Sequence, residues 1–145
     1  MTLKSASLVA TSLLVVAVLT LLARHSLFAN SPVAIAVQVL AGALMLWARL
    51  TFGGRSFHAS ASPTDGGVVT TGPYRFVRHP IYAAILYFLW AALLSRPSAL
   101  NASLVALATA MLAVRIAAEE RLLLARYPEY AAYAAGTKRV VPFVI

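Results

Sequence analysis

The most regular feature of the chain is a series of four apolar stretches separated by short polar segments. They predict helices over the following residues: about 5–23, 32–50, 80–95 and 98–127. A membrane-spanning helix needs roughly 20 apolar residues, with a range of about 17–25, so the third stretch is short. We count it because Pro80 suits the first turn of a helix and Arg96-Pro97 ends the stretch before a tight hairpin. The pattern predicts an all-α integral membrane protein with four transmembrane helices.

The first stretch also has to be distinguished from a secretory signal peptide. Its apolar run is longer than the usual core of about 7–15 residues, and no clear small-x-small cleavage motif follows it. We therefore expect a membrane-spanning helix here rather than a cleaved leader.

The overall composition agrees with a membrane protein. Hydrophobic residues make up 61% of the 145 residues, whereas soluble domains contain about 45–50%. The length suits one domain, so residues 1–145 are expected to form a single multi-pass unit. The chain has no cysteine, which excludes disulfides and thiolate-bound metals, and we predict no metal site.

Positive charge is concentrated on one predicted side of the membrane. The net charge is +8, and the arginines adjoin apolar stretches, so we expect anionic lipid headgroups rather than nucleic acid as the counter-charge. Of the 12 Lys and Arg residues, only Arg24 and Arg96 fall on the side opposite the termini. Because cytoplasmic loops carry the excess of Lys and Arg, both termini and the long segment between the second and third helices are predicted to be cytoplasmic.

Polar and aromatic residues gather where the third helix begins, in GPYRFVRHPIY (residues 72–82). A residue before proline is driven out of the helical region, so His79 is expected to cap the helix that starts at Pro80, with Tyr82 one turn in. Helix amino ends attract anions. The same residues also fit an interfacial belt of Tyr, Trp and Arg at headgroup depth, and the sequence leaves both interpretations open.

A second polar group stands at the end of the last helix. Arg115 and Glu119 are four residues apart and therefore share a helix face, and Glu120 is adjacent. Ionisable groups near a membrane are costly and usually have a role. A solvated helix face just outside the lipid is the alternative interpretation.

Together the two groups predict one cytoplasm-facing site, built from residues 51–79 and 115–145. It would offer backbone N–H groups, a histidine, tyrosines, an arginine and carboxylates. That inventory suits a zwitterionic, nucleotide-like cofactor beside a lipidic substrate. The apolar tail, residues 140–145, is expected to return to the membrane and cover the pocket.

Three motifs taken together carry a family resemblance: RHPxY at residues 78–82, RxxxEExxL at residues 115–123 and YxxY at residues 130–133. The chain resembles the isoprenylcysteine carboxyl methyltransferase family, and phospholipid N-methyltransferases are similar. The resemblance covers residues 66–143, and the first two helices match only as apolar spans. It implies a multi-span enzyme that uses S-adenosylmethionine, bound by the loop before the third helix and the region after the last helix.

Each motif position carries an expected role. The resemblance assigns Arg115 and Glu119 as catalytic residues, with Arg115 facing the methyl acceptor and Glu119 also contacting the cofactor. The other expected cofactor contacts are Gly67, Val68, Val69, Tyr74, His79, Pro80, Ile81, Tyr82 and Glu120. Two positions depart from the family's frequent pattern: Ala84, where glycine is common, and Gly136, where a basic residue is common.

The nature of the acceptor decides what chemistry these residues would perform. A carboxylate is ionised at neutral pH, so its methylation by a sulfonium needs alignment and exclusion of water but no general base. Arg115 offers a bidentate fork for such a group. An amine acceptor would have to lose a proton, to Glu119, Glu120 or His79. The lack of another obvious base slightly favours a carboxylate on a lipidic acceptor.

Three other functions remain open from the sequence. A phospholipid N-methyltransferase is the nearest. A membrane reductase that uses NADPH would need a cationic pocket for the 2′-phosphate, which Arg75, Arg78 and Arg121 could supply. A non-catalytic membrane protein or small transporter is the third, although transporters place polar groups near the bilayer midplane and the span centres here carry only mildly polar residues.

Overall fold

The fold is all-helical over the residues that the computed structural model describes, which are 2–53 and 67–142. Five α-helices and one short 3-10 helix, which spans Gly72–Arg75, make up this part of the chain. The α-helices are α1 (Leu3–Ala23), α2 (Pro32–Phe52), α3 (Pro80–Ser95), α4 (Ala99–Arg126) and α5 (Tyr130–Gly136). The four apolar stretches thus correspond to α1 to α4, and α5 is an additional short helix that the hydrophobic pattern did not predict.

The long helices begin at recognisable caps. Ser31 and Ser98 precede α2 and α4, and their hydroxyls accept hydrogen bonds from the backbone N–H groups of Ala34 and Asn101. His79 precedes α3 in a non-helical conformation, as the sequence predicted. Its side chain makes no capping hydrogen bond, so the imidazole is available for contacts with other parts of the chain.

Three of the helices are long and apolar enough to cross a membrane: α1, α2 and α4. The fourth apolar helix, α3, has only 16 residues. At 1.5 Å per residue, the 28 residues of α4 extend for roughly 42 Å, more than the roughly 30 Å of bilayer hydrocarbon. One end of α4 therefore has to project from the hydrocarbon layer.

The helices pack mainly as two pairs, α1 along α4 and α2 along α3, with α3 also against α4. The buried positions of α1 repeat every three or four residues: Ser7, Ala10, Leu14, Ala17 and Leu21. Those of α4 follow the same spacing, which is the pattern of a coiled-coil seam. Small residues on α1 let the two backbones approach closely, and the seam includes Arg115, a buried arginine.

An apolar cleft lies between α1, α2 and α3. Its volume is about 490 Å³, and every side chain that lines it is apolar, among them Leu14 of α1, Met45 of α2, and Ile85 and Phe88 of α3. This volume falls within the range of small-molecule pockets, about 300–1,000 Å³. The volume of the apolar cleft is therefore large enough for a hydrocarbon chain.

Beside this cleft, polar side chains tie the α1–α2 connection to α3. Gln38 is buried, and its amide donates to the carbonyl oxygens of Leu27 and Phe88 while its oxygen accepts from the N–H of Ala29. Buried polar groups are tolerated when they are hydrogen-bonded in this way. These hydrogen bonds explain why Gln38 is buried, and no functional role is needed to account for it.

Candidate active site

The start of α3 and the end of α4 are brought together by the last part of the chain. Residues 137–140, here called the C-terminal strap, run beside the segment before α3. The N–H of Arg78 donates to the carbonyl of Lys138 at 2.7 Å, and the N–H of His79 donates to that of Arg139 at 2.9 Å. The hydroxyl of Tyr87 on α3 donates to the carbonyl of Val140 at 2.6 Å. The strap therefore folds back onto α3.

His79 lies between the two acidic side chains of α4. Its Nδ1 is 3.6 Å from Oε2 of Glu119, and its Nε2 is 3.4 Å from Oε1 of Glu120. The imidazole is buried and stacks on the ring of Tyr82, with centroids 5.6 Å apart. Among the described residues, the 3.4 Å approach of Nε2 to Glu120 is not an aligned hydrogen bond, so this polar atom in the middle of the cluster is only weakly satisfied.

Glu120 is held by two arginines. Arg78 donates from Nε to Oε1 at 2.9 Å, and Arg139 of the strap donates from Nε to Oε2 at 3.0 Å. Arg78 also donates to the carbonyl oxygens of Ala134 and Thr137. Because both carboxylate oxygens are occupied and the group is buried, this ion-pair cluster fixes the strap and α5 against α4.

Arg115 is the centre of a second network. Its Nε and Nη2 donate to the hydroxyl of Tyr82 at 3.1 and 2.9 Å, and its guanidinium lies over the Tyr82 ring. Nη2 is 3.4 Å from Oε1 of Glu119, and Nη1 donates to the hydroxyl of Thr11 on α1. The Tyr82 hydroxyl in turn donates to Glu119. Three helices thus contribute to one hydrogen-bonded group.

Tyrosines of the loop and of α5 complete the surroundings. The hydroxyl of Tyr133 donates to the carbonyl of Tyr74 at 2.6 Å, and the ring of Tyr74 lies 5.5 Å from that of Phe52. Burial raises the pKa of Tyr74, Tyr130 and Tyr133 above the ordinary value, that of Tyr133 to about 12 although Arg78 opposes the shift. These phenols therefore stay protonated near neutral pH and can act only as neutral hydrogen-bonding groups there. The buried hydroxyl of Tyr130 has no hydrogen-bond partner among the residues that the structure describes.

The structure brings five of the sequence-predicted site residues into direct mutual contact: His79, Tyr82, Arg115, Glu119 and Glu120. Tyr74 is connected to α5 through Tyr133. Pro80 is buried and Ile81 half-buried in the first turn of α3.

The predicted backbone contacts lie in the loop before the 3-10 helix. Gly67, Val68 and Val69 are half-buried in an irregular segment, and no hydrogen bond links them to the two carboxylates within the described part of the chain. Their role as cofactor contacts stays a prediction. Gly66, Arg55 and the end of the apolar tail, residues 143–145, lie outside the described residues.

The sequence interpretation missed three residues that the structure places in the cluster. Thr11 looked like a mildly polar residue of a span, and Arg78 and Arg139 counted only as topology signals or as phosphate ligands. Arg78 is committed to Glu120 and to two carbonyl groups, which removes it from the phosphate pocket that a reductase would need. The RHPxY motif was the signal for Arg78, but nothing local indicated its acidic partner.

The model of the isoprenylcysteine carboxyl methyltransferase (ICMT) family matches residues 33–125, more than half of the chain. The matched segment contains α2, α3 and most of α4, and leaves α1 and α5 outside. No curated protein and no solved structure matches the chain. By this match the chain belongs to the ICMT family, a family of membrane methyltransferases.

Proposed function

We propose that this protein is a membrane-embedded methyltransferase that uses S-adenosylmethionine and O-methylates the carboxylate of a lipidic, isoprenylcysteine-like acceptor. One observation carries the proposal. His79 and Tyr82 from the start of α3 join Arg115 and Glu119 from α4 in a single hydrogen-bonded and ion-paired group. Family membership supports the reaction class.

The residues of the cluster fit a sulfonium nucleoside. Within the described part of the chain, the buried hydroxyl of Tyr130 has no hydrogen-bond partner, and Nε2 of His79 has only a 3.4 Å contact with Glu120. A ligand with hydroxyl and amino groups would satisfy both atoms. The carboxylate of Glu119 is 23% exposed, so it remains accessible to a cationic amino group. The bound cofactor would supply an already activated methyl group.

The chain's own contribution to the reaction is orientation. Arg115, whose guanidinium Tyr82 holds from one side, is the residue that we assign to binding of the acceptor carboxylate. A carboxylate acceptor needs no base, and Glu120, whose two oxygens are bound by arginines, is poorly suited to accept a proton. Alignment of an activated donor with a held nucleophile is the largest effect that a site of this kind can provide.

The apolar cleft is the proposed binding place for the acceptor's hydrocarbon chain. Leu14 lies one helical turn beyond Thr11, and Ile85 lies one turn beyond Tyr82; both Leu14 and Ile85 line the cleft. Since Thr11 and Tyr82 both contact Arg115, the cleft begins one turn from the guanidinium. A lipid with its chain in the cleft would present its acidic end to Arg115.

A phospholipid N-methyltransferase is the second candidate. It is favoured by the partial exposure of Glu119, because an amine acceptor has to transfer a proton to a nearby base. Supplying a prenylated thiol acid and an aminophospholipid side by side, with methyl-labelled cofactor, distinguishes the two functions by the product that becomes labelled.

The decisive test combines binding and transfer. The purified protein is titrated calorimetrically with S-adenosylhomocysteine, and methyl transfer is followed with labelled cofactor. His79→Ala and Glu119→Ala should weaken binding of S-adenosylhomocysteine at least about tenfold, because each removes a charged or polar contact. Arg115→Ala should lower kcat/KM by about 100-fold while the Kd for S-adenosylhomocysteine changes little.

The exposed Arg121 gives a matched control, since Arg121→Ala removes an arginine on the same helix without touching the cluster. Unfolding midpoints in detergent show whether each variant is folded. Unchanged S-adenosylhomocysteine affinity in both His79→Ala and Glu119→Ala would overturn the assignment of the cofactor site.

A further inference from the structure

Helix α1 lies outside the segment that the family model matches, residues 33–125, yet it reaches the candidate active site. Thr11, in the middle of α1, accepts a hydrogen bond from Nη1 of Arg115. The two residues are 104 positions apart in sequence. The contact exists because α1 packs along α4 over its length.

The geometry of Thr11 suits it for this contact. Its hydroxyl donates its single proton to the carbonyl of Ser7 at 2.8 Å, one turn earlier on α1. A hydroxyl has one proton and two acceptor lone pairs, so it can donate to Ser7 and accept from Arg115 at the same time. Thr11 therefore presents an acceptor, in a fixed rotamer, to the guanidinium.

Arg115 is held on two sides by hydroxyl groups. Nη1 is bound by Thr11, and Nε with Nη2 by Tyr82. Only 5% of the Arg115 surface is exposed, so water cannot readily replace a lost partner, and an unsatisfied buried N–H of a charged group is costly. The plane of the guanidinium is consequently determined from both sides, by α1 and by α3.

We propose that Thr11 is a positioning residue for methyl transfer: it fixes the plane in which Arg115 meets the acceptor carboxylate. The inference rests on the proposed function, in which Arg115 binds the acceptor. Under this proposal, α1 contributes a residue to the active site as well as spanning the membrane. Because Thr11 acts through Arg115, loss of the Thr11 hydroxyl should weaken binding of the acceptor and leave cofactor binding unchanged.

The test uses Thr11→Val, which keeps the shape of the side chain and removes the acceptor oxygen. The KM for the lipidic acceptor should rise about tenfold, as expected for a lost hydrogen bond to a charged group, while the Kd for S-adenosylhomocysteine stays the same. Thr11→Ser retains the hydroxyl and should restore the acceptor KM. Thr20→Val is the matched control, since Thr20 donates to the carbonyl of Val16 on the same helix in the same way but does not contact the cluster.

A double variant isolates the route of the effect. If Thr11 acts through Arg115, Thr11→Val should cause no further loss in an Arg115→Ala background. Wild-type kinetic constants in Thr11→Val, an equal defect in Thr11→Ser, or a fully additive loss in the double variant would each overturn the inference. A wild-type protein that binds no S-adenosylhomocysteine and transfers no methyl group would instead overturn the proposed function.

Discussion

Two neighbouring acidic residues, Glu119 and Glu120, have different surroundings although they follow one another on α4. Glu120 is buried and bound by Arg78 and Arg139. Glu119 is more exposed and is bound by the hydroxyl of Tyr82 and by Arg115. We therefore expect Glu120 to stabilise the fold and Glu119 to contact ligand, although the family resemblance had assigned both as cofactor contacts.

Replacing Glu120 with Gln should test the structural half of this division. The amide cannot accept hydrogen bonds at both ends, so buried Arg78 loses its ionic partner, and breaking a buried pair of this kind costs roughly 3 kcal/mol. Arg139 is half exposed, so its share of the loss is small. The free energy of unfolding of Glu120→Gln is measured in detergent by chemical denaturation.

The control is Glu129→Gln at the exposed start of α5, where a change within about 0.5 kcal/mol is expected. Equal stability of Glu120→Gln and the wild type would show that the ion-pair cluster does not hold the strap in place.

At the level of single residues, local sequence predicted part of the candidate site and could not predict the rest. Arg115 and Glu119 were identified because spacing within one helix decides which side chains share a face. The contact of Thr11 with Arg115 depends on how two helices are rotated against each other, which residue spacing does not determine. The contact of Arg139 with Glu120 could not be predicted from residue spacing either, because Glu120 lies on another element.

The connection before α3 depends on a glycine. Gly72 has a φ of +56°, and a Cβ at this position would lie 2.5 Å from Oγ1 of Thr51 on α2. Thr51 is itself held by a hydrogen bond to the carbonyl of Trp47, so its side chain cannot move away without loss. Gly72 lets the 3-10 helix that carries Tyr74 pack closely against the end of α2.

Gly72→Ala should therefore lower the free energy of unfolding by roughly 1–3 kcal/mol, from backbone strain and the contact with Thr51. Binding of S-adenosylhomocysteine should also weaken, because the segment carrying Tyr74 shifts. Adding Thr51→Ala should restore only part of the stability, since it removes the contact and leaves the strained φ. Both quantities are measured by denaturation and calorimetry.

Gly136→Ala is the matched control for Gly72→Ala. Gly136 ends α5, and a Cβ there meets nothing within 4 Å, so alanine should be neutral or slightly stabilising. A Gly72→Ala protein as stable as Gly136→Ala would show that the turn does not require glycine.

Elements differed in how well the sequence predicted them. The bounds of α1 to α4 followed from long apolar runs and, for α3, from Pro80 at the first turn, all of which are local signals. The 3-10 helix, α5 and the C-terminal strap are short, and they are held by contacts with distant residues such as Arg78. No hydrophobic periodicity marks segments of this length.

For the whole molecule, the orientation in the membrane is a prediction that the chain makes easy to test. It has no cysteine, so single cysteines can be introduced without background. We propose that Phe28 and Pro97, both exposed, lie outside, and that Ala135 on α5 is cytoplasmic. In intact cells a membrane-impermeant maleimide should label Phe28→Cys and Pro97→Cys, and Ala135→Cys only after permeabilisation.

This experiment also tests whether α3 spans. Its 16 residues give roughly 24 Å, less than the hydrocarbon thickness of roughly 30 Å, which local thinning of the bilayer can accommodate. If α2 and α3 both cross, positions 28 and 97 are on the same side. Labelling of one without the other would contradict four spans, and exclusive labelling of Ala135→Cys in intact cells would reverse the orientation.

The apolar cleft between α1, α2 and α3 has a kinetic consequence. A substrate whose hydrocarbon chain enters it from the bilayer is supplied by a two-dimensional phase, so its effective concentration is a surface density. Dilution with inert phospholipid should slow turnover even when the molar amount of acceptor is constant. Saturation of the enzyme then depends on the surface density of acceptor in the lipid mixture.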